Sequence, residues 1–153
     1  MAGFTTAMPT SFKVELLTAT HNFTITTGNV FKVALGIASP TGTYGAATTN
    51  YSNLTGNSDE VSGTGYTAGG FAWTAGQNIT PTSTGTTAFT QWSVNPSWTS
   101  ATFSTSGCII YNSSASNRAV YVGSFGGTQT VTAGTLTLIL PTNDASNSML
   151  RIQ

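Results

Sequence analysis

The chain has 153 residues, of which 5% are charged, and its four basic and four acidic side chains cancel to a formal net charge of zero. That balance excludes a nucleic-acid binder, which needs clustered cations to neutralise phosphates, and disfavours an anionic membrane surface for the same reason. Its one cysteine, Cys108, excludes an intrachain disulfide, and at this length a single domain buries roughly 70% of its unfolded surface, so the core needs no staple.

Met1–Thr10 fits no element of its own. It reads either as a frayed terminus or as an N-terminal arm, residues 1–10, that orders against a partner through Phe4, Met8 and Pro9. A single β domain is expected over residues 11–153. Ser11–Thr18 reads as its first strand, with Phe12, Val14 and Leu16 on one face and Lys13, Glu15 and Leu17 on the other. Phe23–Thr27 reads as a second strand, and Val30–Ile37 as a third that sets Phe31, Val33 and Leu35 opposite Lys32. Between the first two lies His21, the only histidine and so the only candidate general base. It has no nucleophile at a required spacing and is read as a surface turn residue, with His21→Ala shifting stability by at most about 1 kcal/mol.

Ala38–Asp59 is turn-rich and longer than most loops, so it is expected to be a functional excursion with a short strand or helical turn near Thr48–Asn53. In Glu60–Gly76 the glycines 63, 65, 69 and 70 permit positive φ and close backbone approach, ahead of a strand at Gly70–Thr74. They lack the spacing of a phosphate cradle. Gln77–Thr86 reads as a polar loop, and Thr87–Val94 and Trp98–Thr105 as strands parted by a turn at Asn95-Pro96. Three further strands follow, Cys108–Tyr111, Ala119–Phe125 and Thr135–Leu140, separated by turns at Asn112–Asn117 and Gly126–Gly134. In the last, Leu136, Leu138 and Leu140 alternate with Thr137 and Ile139, so one face suits a core. A turn at Thr142–Asn147 and a closing strand at Met149–Ile152 end the chain.

Trp73, Trp92 and Trp98 lie in or beside strands and are expected in the core rather than on a sugar-stacking platform. Cys108 sits beside Ile109 and Ile110 and reads as a small buried hydrophobe. Asp59 and Glu60 are adjacent, so on a strand they face opposite ways and make no acid–base pair. No catalytic constellation, cofactor or metal is expected, and the chain is read as a non-enzyme. About nine short strands with long loops indicate an all-β protein, a β-sandwich of jelly-roll type, with an up-and-down barrel as the alternative. A net charge near zero favours association.

SFKVELL and HNF (within Ser11–Phe23) with VFKVAL (Val30–Leu35), EVSGTGYTAGG (Glu60–Gly70), GCIIYN (Gly107–Asn112), NRAVYV (Asn117–Val122), FGG (Phe125–Gly127), TVTAGTLTL (Thr130–Leu138) and the segment Pro141–Ile152 resemble, in this order, a family of small virion structural proteins of tailed bacteriophages. The loops Ala38–Asn57 and Ala75–Thr86 match least. The resemblance implies a capsid cement or decoration protein, made in the host cell cytoplasm and carried on the outer capsid surface of the virion. Its partners would be the major capsid protein and further copies of itself, as a dimer or trimer, with no nucleic acid and no membrane. Phe4, Met8 and Pro9 would then be capsid-contacting residues. The alternative is a tail or head fibre module that binds a carbohydrate receptor through exposed aromatic rings.

Overall fold

The structure, a computed structural model, describes residues 2–153. In chain order it contains β1 (Gly3–Phe4), α1 (Thr10–Leu17), β2 (Phe31–Ile37), β3 (Thr43–Tyr44), α2 (Ser52–Gly56), β4 (Phe71–Trp73), a 3₁₀ turn (Ala75–Gln77), β5 (Thr82–Thr84), β6 (Thr87–Thr90), β7 (Ser97–Asn112), β8 (Arg118–Thr137) and β9 (Leu150–Ile152). The chain is mostly β, and its two larger sheets are antiparallel, ordered β4-β2-β7-β8 and β5-β6-β9. β1 and β3 form a short parallel pair.

The four-stranded sheet is built on one long hairpin. β7 and β8 are 16 and 20 residues long, where the sequence pattern divides each into two strands. The turn at Asn112–Asn117 is real: Asn112 Oδ1 accepts the backbone N–H groups of Ser114 and Ala115, at 3.0 and 3.1 Å. The expected turn at Gly126–Gly134 is not. Ser124 pairs with Gly107 and Gln129 with Thr105, so Phe125–Thr128 bulge out opposite Ser106 and the strand then resumes. Thr128, Thr130, Val131 and Thr132 are good strand formers and carry the pairing through. A second bulge sets Val120 between the pairs Ile110↔Tyr121 and Tyr111↔Ala119. It breaks the alternation across Ala119–Phe125: Val120 and Tyr121 join one cluster, while Ala119 and Val122 join the other.

Both faces of this sheet are covered, which is why β2 is buried almost without a break. Phe31, Val33 and Leu35, on one face as expected, pack with Trp73, Ile110, Phe12, Phe23, Trp92 and Leu150. Ala34, Ile109, Tyr111 and Val122 face the other way and are closed over by Tyr44, Leu54, Phe4 and Tyr51. β3 and α2 therefore place the Ala38–Asp59 excursion as the lid of the smaller cluster. Leu136, Leu138 and Leu140 do share an inward face, but they are only half-buried at the margin of the larger one.

Two strands expected near the N-terminus are absent. Ser11–Thr18 is helical: Lys13, Glu15, Leu16 and Leu17 are good helix formers, and Phe12, Glu15 and Leu16 turn inward together. Phe23–Thr27 is a looped segment with Thr26 at φ 68°, held by Phe23 stacking on Phe31 with centroids 4.6 Å apart. Gln77–Thr86, expected as loop, contributes β5.

The N-terminal residues are not set apart from the domain. Gly3 N–H donates to Gly42 O and Thr5 N–H to Tyr44 O, both at 2.8 Å. Ala7 exchanges hydrogen bonds with Val122 at 3.0 and 2.9 Å, pairing with the edge of β8. The boundary drawn between residues 10 and 11 falls inside α1.

Candidate functional site

α1 brings a carboxylate into the interior. Glu15 accepts from Arg118 Nη1 at 2.6 Å and from His21 Nε2 at 2.7 Å. His21 Nδ1 lies 2.9 Å from Asn112 Nδ2, an amide nitrogen that can only donate. Asn112 is fixed in that orientation, because its Oδ1 takes two backbone N–H groups and its Nδ2 also donates to Asn29 Oδ1 at 2.9 Å. Nδ1 is therefore a bare acceptor, the proton sits on Nε2, and His21 is neutral. The surface reading of His21 is wrong: its side chain is fully enclosed, beside the rings of Phe12 and Phe23. Both ring nitrogens hold buried partners, so a near-neutral His21→Ala no longer fits.

Burial pushes the His21 imidazole below its ordinary 6.5, with the Glu15 hydrogen bond opposing that shift. A base whose folded pKa lies below its unfolded value binds more protons when unfolded. Its contribution is thus fully present above about pH 6.5 and is lost as pH falls toward the folded pKa. Urea unfolding is expected to show stability falling between about pH 7 and 5, with the His21-linked part of the slope absent in His21→Gln. An unchanged slope in that variant would mean that His21 is not the group responsible.

Asp59 and Glu60 point apart, as adjacent residues on an extended chain do, and each anchors a loop. Asp59 accepts from Tyr44 Oη at 2.5 Å, Gly42 N at 2.7 Å and Thr41 N at 2.9 Å. Burial opposes its charge, yet these bonds hold its carboxyl below the usual range. Glu60 accepts from Tyr51 Oη at 2.5 Å, Tyr66 Oη at 2.8 Å and Gly69 N at 2.7 Å. Burial and the carboxylate push the Tyr44 phenol up to about 12 and raise Tyr51 and Tyr66 as well, so all three stay donors. Asp144 caps the turn after it, taking the N–H groups of Ser146 and Asn147 at 2.8 Å. All four carboxylates are thus engaged within the chain. Among the described residues no group of three or more His, Cys, Asp or Glu is placed to hold a metal.

Of the three candidate contact residues, Phe4 lies on one side of the sheet and Met8 on the other, because the segment between them crosses the β8 edge at Val122. The Phe4 ring stacks on Tyr44, with centroids 4.7 Å apart, and fills a slot over Gly36 and Gly107, which pair across β2 and β7. A Cβ at either glycine would lie 2.0 or 2.3 Å from that ring. Pro9 is buried at the start of α1, and Met8 is half-buried between α1 and β9. Pro9 thus offers almost no surface to a partner, whereas Phe4 and Met8 are each only half-buried.

Sequence reasoning missed a cleft of about 370 Å³ between Thr6–Met8, Tyr121–Phe125 of β8 and the C-terminal segment. Cys108 lies at its wall, where burial pushes the thiol up to about 12, so it is not nucleophilic. Trp73, Trp92 and Trp98 are 0%, 1% and 6% exposed, core residues as their strand positions indicated. Tyr121 and Phe125 line the cleft and are half-buried, as are Phe4, Tyr51, Tyr66 and Phe71 elsewhere. Compared with protein families, with curated proteins and with solved structures, the chain matches none of them.

Proposed function

We propose that this protein is a capsid cement or decoration protein of a tailed bacteriophage. It sits on the outer surface of the head, self-associates as a dimer or trimer, and bridges neighbouring major-capsid subunits so that internal DNA pressure is spread over more contacts. The jelly-roll form of the β architecture belongs to this reading. Its basis in sequence is the ordered set of segments from Ser11 to Ile152 that resembles virion structural proteins.

The observation that carries it is the surface left once the charges are accounted for. Every carboxylate is engaged internally, Arg118 pairs with Glu15, and Val14, Leu17, Ile25, Ile139 and Ile152 stand exposed. Such an exterior suits standing contact with neighbours better than free diffusion at high concentration. The role needs no catalytic group. Quantitative mass spectrometry of purified virions tests it: copies in proportion to the major capsid protein are expected, whereas a handful per particle would point to a fibre or tail part instead.

A further inference from the structure

Three adjoining hollows share Met8 as a wall and together form a groove between α1 and β9. On the helix side, Lys13 and Leu17 stand one turn apart, with Leu17 88% exposed. On the strand side are Arg151 and Ile152, the latter 54% exposed. Leu17 and Ile152 thus leave apolar surface open on both walls of one groove. Beneath them lies an apolar hollow of about 120 Å³, lined by Phe12, Leu16, Phe23, Phe89 and Leu150. An apolar cavity of about 150 Å³ accommodates benzene, so this one has room for a single aliphatic side chain. β9 also pairs only with β6, and among the described residues no strand or bridge covers its other edge. That edge can take an added strand through main-chain hydrogen bonds.

Charge decides the occupant. Lys13 makes no ion pair among the described residues; Arg151 Nη1 donates to the Ser146 carbonyl and lies within electrostatic reach of Asp144 without forming an ion pair with it. A second copy of this chain would bring the same two cations and four carboxylates that are already engaged within it. An eight-residue helix with two nearby cations is also a poor membrane anchor. We infer that the groove between α1 and β9 docks an extended segment of a different protein, which seats an apolar side chain in the hollow and sets carboxylates against Lys13 and Arg151. The inference does not depend on that protein being a capsid subunit.

The test titrates the full chain with three acetylated, amidated pentapeptides, followed by calorimetry and backbone amide NMR. Their sequences are Glu-Asp-Leu-Asp-Glu, Glu-Asp-Ala-Asp-Glu and Lys-Lys-Leu-Lys-Lys. The acidic leucine peptide is expected to bind about tenfold tighter than either of the others, since the alanine peptide lacks the apolar anchor and the lysine peptide lacks both charge contacts. Shifts should centre on Leu17, Arg151 and Ile152. In the double variant Lys13→Glu, Arg151→Glu the preference between the acidic and lysine peptides should reverse. Equal binding of the three peptides by the unaltered chain, no binding, or shifts centred elsewhere would overturn the inference. So would self-association through this groove in sedimentation, or partition onto phosphatidylserine vesicles without peptide binding.

Discussion

Trp73→Ala is expected to lower the free energy of unfolding by about 3–5 kcal/mol in urea denaturation. Trp73 is 0% exposed and stacks on Trp92 at 4.5 Å, with Phe71 edge-on at 5.8 Å. Its indole N–H donates to Val94 O at 2.8 Å, tying β4 to the segment that follows β6. Truncation removes the burial, leaves a cavity that the paired strands around it can only partly close, and strips the Val94 carbonyl of its donor. Trp73→Phe, which keeps a ring and loses the bond, should be the milder change. A loss below about 1 kcal/mol for the alanine variant would mean that this layer is not the core.

Gly70→Ala is the second large effect, expected at about 3 kcal/mol or more by the same measurement. Gly70 sits at φ +74°, where an L-residue is strained by about 1–2 kcal/mol. Its added Cβ would also lie 1.9 Å from Val33 O and 2.7 Å from Val33 C. Those are backbone atoms of the central strand β2, paired on both sides and unable to move aside as a side-chain tip would. A variant as stable as the parent would show that β4 does not enter the sheet by this close turn.

Gly70 also shows what the sequence could reveal. A glycine cluster before an aromatic run signals positive φ and close approach, and β4 follows where that signal places it. β2 was legible for a similar reason, since its run of Phe, Val and Ile lies between the breakers Gly28-Asn29 and Ser39-Pro40. α1 was not. Phe12 and Leu16 fit a strand face and a helical turn equally well, and the burial of Glu15 depends on Arg118, 103 residues away. Nothing local marks that partnership, and the same gap hid the burial of His21. In the hairpin, glycines read as breaks: Gly107 instead leaves room for the Phe4 ring, and Gly126-Gly127 lie in a bulge. Phe4, Met8 and Pro9 stood out as apolar residues without a strand, but the glycine slot that receives Phe4 exists only once β2 and β7 pair. The groove at Met8 was beyond reach because its walls come from opposite ends of the chain.

The most direct test of the cement role is to heat phage heads that carry the protein beside heads that lack it, following DNA release with an intercalating dye. Decorated heads are expected to hold their DNA to a higher temperature, and adding the purified protein back to bare heads should restore the difference. Equal release temperatures, with the protein shown to be bound, would contradict the role.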